Sequence, residues 1–324
     1  MRLGIIVNVG DIIGSMHNDD YENILDVDIL NVLLKDRTTG KNIIWATDNY
    51  GFGPDEEIKI ENLHLIKPRL EKSKKEQQKR TKGKAEVFTP SWVCNDMNNN
   101  LTEEWFGRKN VFNVSTGRGW KTNNEKISFP CVEGKNWLDY VRSTVLEITC
   151  GEGPFLVSRY DTVSGEYIEP FDRIGLLDRK IRVVNENING SNGWFEIILE
   201  VYKATYGYEY QGDNLFLARK NLLLTFIDNY QNRVSKYVDK EKLLQVAEII
   251  SWNLWQMDGL KYVIPNSCKN ITREQISLFN GVAEKECHGC KKNNIYEHTG
   301  IYCKIKDWKT NSIGRFVDIV KKIK

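Results

Sequence analysis

A short apolar run that ends in two glycines one residue apart limits this chain more than any other feature. Val145 to Ile148 lead into Thr149-Cys150-Gly151-Glu152-Gly153-Pro154, and Phe155-Leu156 follow. The run reads as a strand. A Gly-x-Gly turn after a strand lets backbone pass close to a ligand or to the next helix. Units of this kind belong to α/β folds built on a mainly parallel sheet.

Other segments support that alternation. Tyr21 to Leu34 has helical apolar spacing, and Asn42 to Thr47 (NIIWAT) reads as a strand. Thr89 is placed to cap a helix that Pro90 opens. Trp137 to Thr144 predicts a helix feeding the strand at 145 to 149. Trp194 to Thr205 is again helical, and Tyr206 to Tyr210 is strand-like. Asn214 to Tyr230 is strongly amphipathic, and Asp239 caps a further helix from Lys240 to about Trp252. Residues 107 to 135 read as irregular, and 157 to 193 show no assignable period.

Composition places limits on partners. No apolar run approaches the ~20 residues that span a bilayer. The start of the chain is interrupted by Asn8 and Asp11 too early for an export signal. A cytoplasmic location without a membrane partner is therefore expected. From Lys67 to Lys84 nine basic residues stand against Glu71 and Glu76. Such an excess can neutralise phosphates, as in DNA, or can simply be a solvated helix or linker.

The seven cysteines of a chain read as cytosolic suggest metal ligands or buried thiols before disulfides. Cys268, Cys287, Cys290 and Cys303 follow a C-x18-C-x2-C-x12-C pattern, which fits four thiolates around a tetrahedral structural zinc. His288 or His298 can replace one of them. Cys150 belongs to the glycine loop and reads as packing, while Cys94 and Cys131 carry no signal.

The segment Glu147-Ile148-Thr149-Cys150-Gly151-Glu152-Gly153-Pro154-Phe155-Leu156 resembles the first motif of adenine-N6 DNA methyltransferases, Asp-Pro-Ala-Cys-Gly-Ser-Gly-x-Phe-Leu. Ile148 in place of Pro and Glu152 in place of Ser are departures. Val87-Phe88-Thr89-Pro90 resembles the Phe-x-Thr-Pro cofactor element, in the order expected for the gamma-type arrangement. Tyr206-Gly207-Tyr208-Glu209 resembles the second strand with its terminal acid, and "NLWQMDGL" (253 to 260) resembles the third element. The resemblance covers roughly residues 84 to 260 and extends to M subunits of restriction systems.

It implies an S-adenosylmethionine site at Phe88, Thr89, Pro90, Glu147, Cys150, Gly151, Gly153, Glu209 and Asp258, with Glu209 on the ribose hydroxyls and Asp258 on the adenine amine. It also implies a Rossmann-like methyltransferase sheet, with DNA and a restriction-system subunit as partners. The family holds its flipped base with Asn/Asp-Pro-Pro-Tyr/Phe. None of the seven prolines here are adjacent, so that motif is absent. The nearest stand-in is Asp307 with Trp308, after an apolar run that can form a fourth strand; an ordinary surface turn is the other reading. Sixteen residues follow Trp308, too few for the remaining strands of a complete sheet.

The expected organisation is an N-terminal α/β element (1–66), a basic linker (67–84), a cofactor-binding core (85–262), a zinc-binding segment (263–305) and the end of the core (306–324). The expected function is adenine-specific DNA methylation, incomplete or weak in the isolated chain. The alternatives are a catalytically silent DNA-binding or assembly subunit, and methylation of RNA or protein.

Overall fold

The chain is followed in a computed structural model that describes residues 25–268 and 287–323, apart from 48, 49, 52, 54, 85, 88, 191, 192, 235 and 236. Helix α1 (Val27–Leu34) starts where the Asp26 carboxylate accepts from the N–H groups of Asp28 and Ile29, and it buries Ile29, Leu30, Leu33 and Leu34. Residues 21–24 of the expected helix lie outside the described residues.

The expected strand at 42–47 is instead extended backbone joined through isolated bridges, Lys35 to Asn42 and Ile44 to Glu57. Backbone at 56–58 bonds one edge, and on the other edge the neighbour is a side chain: Ile44 N–H donates to Gln256 Oε1 and Ile44 O accepts from Gln256 Nε2, both at 2.8 Å. On that edge the Gln256 amide takes the place of a partner strand. Ala46, at φ 50°, then turns the chain out of the extended region.

The basic stretch packs as helix α2 (Lys74–Lys84). Arg80 is 8% exposed and is held by Glu86, Asp213 and Gln211, and Lys72 pairs with Asp213 at 3.2 Å. Two of the nine bases therefore anchor the segment to the core rather than facing solvent. Helix α3 (Ser91–Phe106) begins one residue later than expected, with Pro90 at the cap position. Asp161 supplies the capping carboxylate, accepting from Ser91 N–H at 2.7 Å.

Strands β1 (Asn113–Ser115) and β2 (Trp120–Thr122) form a small hairpin, and helix α4 (Trp137–Arg142) opens on an Asn136/Asp139 capping box. Strand β3 (Val145–Glu147) is followed by α5 (Leu176–Asn187) and α6 (Trp194–Lys203). Strand β4 (Thr205–Glu209) is followed by α7 (Gly212–Val234) and α8 (Lys240–Asn253), and β5 (Leu254–Gln256) comes next. The three strands pair in parallel in the order β3-β4-β5, with Glu147 opposite Gly207 and Glu209 opposite Gln256. The fold is mixed α/β on a small parallel sheet.

Helix α7 is more deeply placed than its amphipathic pattern implies, because every residue from Gly212 to Asp228 is buried. A Cβ at Gly212 would lie 2.0 Å from Ile44 O, so only glycine fits where α7 begins. Arg219, fully buried, donates to Leu33 O and Lys35 O at the end of α1 and to Ser251 O and Leu254 O at the end of α8. These are carbonyls that helix ends leave unpaired.

After α9 (His288–Lys292), strands β6 (Lys304–Asp307) and β7 (Ser312–Arg315) pair antiparallel with each other, and α10 (Phe316–Ile323) follows. The expected fourth strand therefore does not join the parallel sheet. Trp308 packs against the core, and its Nε1 donates to Asn253 Oδ1 at 2.7 Å. Asn253 Nδ2 in turn holds the carbonyls of Tyr202, Lys203 and Thr205 at the amino end of β4. Trp308 is thereby fixed at the amino ends of the parallel strands.

Candidate cofactor pocket and metal centre

The glycine loop turns sharply at the carboxyl end of β3, with left-handed backbone at Thr149 (φ 50°), Gly151 (φ 55°) and Gly153 (φ 82°). A Cβ at Gly153 would touch Ala218 and Leu222 of α7 at 3.5 and 3.7 Å, so this glycine packs the loop on the helix. A Cβ at Gly151 would meet nothing within 4 Å, so this glycine faces open space. Cys150 is buried against Gly207, and burial pushes its thiol well above the ordinary range, which suits packing and not nucleophilic attack.

Glu209, at the end of β4, fixes the loop. Its Oε2 accepts from Gly151 N–H at 2.8 Å and its Oε1 from Gln211 N–H at 3.1 Å. Burial raises its pKa, and those two N–H groups partly counter the rise. Glu147 is raised well above the ordinary carboxylate value, first by burial and then by the nearby Glu209 charge.

A cavity of about 1100 Å³ opens outside the carboxyl ends of the three strands, where open parallel sheets place ligands. Thr89, Glu147, Cys150, Gly151, Glu209 and Asp258 all line it, although they come from four separate parts of the chain. Pro90 and Gly153 are outside the lining and serve the start of α3 and the packing on α7. Phe88 lies outside the described residues. The lining also includes residues that sequence reasoning missed, among them Glu86, Asn98, Gln211 and Asn214. Polar helix positions such as Asn98 look solvated in a sequence, and only the fold shows Asn98 fully buried. Five carboxylic acids line the cavity (Glu86, Glu147, Glu152, Glu209 and Asp258), and no lysine, arginine or histidine does so among the described residues.

Asp307 and Trp308 do not reach this cavity, which corrects the expectation that they hold a substrate base. Asp307 is exposed and closes the β6–β7 turn, accepting from Lys309 N–H and Thr310 Oγ1 at 2.8 Å each. Trp308 is held at the opposite end of the strands.

Cys268, Cys287, Cys290 and His298 are grouped so that they could hold a metal ion. His298 Nδ1 lies 3.6 Å from each of the three sulfurs. Zinc–sulfur and zinc–nitrogen bonds of tetrahedral sites imply an N···S edge of about 3.6 Å. The donor set therefore fits zinc, and four protein ligands leave no open position for catalysis. Cys303 is not the fourth ligand. It is fully buried beside Trp255 and Met257, with its thiol on Gln256 O at 3.3 Å. His288 is also outside the set and pairs with Glu297.

Among the described residues no helix is long and apolar enough to cross a membrane. No family model, curated protein or solved structure matches this chain.

Proposed function

We propose that the cavity binds S-adenosylmethionine, and that the chain is the cofactor-binding component of an adenine-specific DNA methyltransferase of a restriction-modification system. One observation carries this reading: Gly151, Glu147, Glu209 and Asp258 meet in a single cavity whose ionisable lining, among the described residues, is acidic apart from a cysteine and tyrosines. A dinucleotide or nucleoside phosphate requires cations or free loop amides. Here no described base lines the cavity, and the Gly151 amide is already taken by Glu209. An adenosine that carries a sulfonium and an ammonium suits such a wall. Glu209 and Asp258 offer acceptors for ribose hydroxyls and the adenine amine, and Glu147 offers one for the ammonium. The exposed lysines of α2, tied to the cavity through Arg80 and Glu86, suit DNA phosphates.

Transfer to an exocyclic amine also needs acceptors and a stacking face for the flipped base. Asp307 and Trp308 stand at the wrong end of the sheet to supply them, so the base-holding element is assigned to a partner. The same observation favours a second reading, a catalytically silent assembly subunit that keeps the cofactor. Tritiated-methyl transfer to unmethylated DNA by the purified chain separates these readings from self-sufficient catalysis. Very slow or absent turnover is expected, and turnover is restored when the partner is added under the first reading only. Rapid turnover by the chain alone contradicts both.

A further inference from the structure

The stretch that follows the glycine loop, whose sequence shows no assignable period, ties together two parts of the cavity wall that are distant in sequence. Three consecutive residues make the ties. Tyr160 Oη donates to Glu152 Oε2 in the glycine loop at 2.6 Å. Asp161 Oδ2 accepts from Ser91 N–H at 2.7 Å, where α3 begins. Thr162, 4% exposed, donates from Oγ1 to Thr89 O at 3.0 Å. The Cys94 thiol also reaches that carbonyl, at 3.5 Å, as a weak donor. Glu152 and Thr89 both line the cavity.

The three residues are themselves held from behind. Asp161 N–H donates to Glu166 O, and Gly165 N–H donates to Asp161 O, both at 2.8 Å. Asp161 Oδ1 accepts from Val163 N–H at 2.9 Å and from Ser164 N–H at 2.6 Å. Arg159 pairs with Asp228 of α7, the helix on which Gly153 packs. The turn and the glycine loop therefore stand on one buried helix. Thr89 belongs to neither a helix nor a strand, and its main chain meets that frame through Thr162.

We propose that Thr162 is a positioning residue for ligand binding in the cavity: its hydroxyl, with the Asp161 carboxylate beside it, sets Thr89 against the glycine loop. The proposal rests on the S-adenosylmethionine reading and gives the 160–162 turn a part in that site. Without the hydroxyl, Thr89 samples positions away from the ligand. The apparent affinity then falls in proportion to the fraction of molecules that stay competent to bind.

Calorimetry on the full chain tests this with S-adenosylhomocysteine as the probe and melting temperatures as a folding control. Thr162→Val keeps the shape and removes the donor, whereas Thr162→Ser keeps the donor. The valine should weaken binding roughly three- to tenfold, the scale of one neutral hydrogen bond, and the serine should stay within about twofold of wild type. Because Thr162 acts through Thr89, Thr162→Val should add less than about twofold in a Thr89→Ala background. A merely structural role would lower the melting temperature and leave the affinity of the folded protein where it was. Wild-type affinity in a folded Thr162→Val, equal losses in the valine and serine variants, or full additivity with Thr89→Ala overturns the positioning role and leaves the cofactor reading intact. Should Thr162→Val fail to fold, Thr162→Ala decides in the same comparisons. No binding of the probe to wild type at millimolar concentration overturns the cofactor reading and the positioning role together.

Discussion

Glu147 and Glu209 both line the cavity, and burial acts on both carboxyl groups. Both carboxyls are held above the usual 4.5, chiefly by burial. A raised folded-state pKa means that folding favours the protonated form. The associated stability is fully present below pH 4.5 and is lost as the pH rises through the raised value. Thermal melts of wild type and Glu147→Gln across pH 4 to 8 should therefore converge at acid pH, relative to a wild-type deficit that grows on the alkaline side. A wild-type advantage that grows with pH would contradict this. At Glu209, an alanine should weaken S-adenosylmethionine binding by roughly 1–3 kcal/mol, the scale for a lost charged hydrogen-bond partner. The residues that sequence reasoning found at this site are those with motif neighbours. Glu86 and Asn98 escaped it because Arg80 and Gln211, and the carbonyls of Phe155 and Ile174, which hold them at the cavity, are brought to them only by the fold.

At the level of elements, the metal segment and the cavity share a loop. Asp258 N–H donates to Val263 O, Ile264 N–H to Ile301 O, and Cys303 N–H to Tyr262 O. Ser267 Oγ accepts from Ile301 N–H at 2.9 Å, next to the ligand Cys268. A metal held by that group would brace the stretch that presents Asp258. Metal analysis should find one zinc per chain in wild type and in Cys303→Ala, and far less in His298→Ala or Cys287→Ser. Loss in Cys303→Ala with retention in His298→Ala would restore the cysteine-only set. Spacing alone reveals the Cys-x-x-Cys pair but cannot choose between Cys303 and His298, since that choice depends on where the folded chain places each side chain. Helix α5 was illegible for a related reason: Asp178, Arg179 and Lys180 are all buried, so its core face does not read as apolar. Arg179 is held there by carbonyl and amide oxygens of α3. The strand expected at 42–47 was apolar enough, yet it pairs on one edge only through an isolated bridge to Glu57 and on the other with the Gln256 side chain, which no periodicity announces.

For the whole molecule, three short parallel strands set the polarity of the fold. Their carboxyl ends carry the glycine loop, Glu209 and the approach to Asp258, and their amino ends carry Asn253 and Trp308. That polarity was legible from the alternation of strands and helices, and it is what separates the cavity from the turn at Asp307. Gly151 is the position that most directly tests whether this cavity holds the proposed S-adenosylmethionine. Asparagine tolerates the left-handed backbone there and still places a side chain in the open space. Calorimetric titration of S-adenosylmethionine into wild type and Gly151→Asn, with melting temperatures as a folding control, is the measurement. Saturable binding to wild type and its loss in a folded Gly151→Asn are expected; no binding to wild type at millimolar ligand, or equal binding to both proteins, would contradict a cofactor site there.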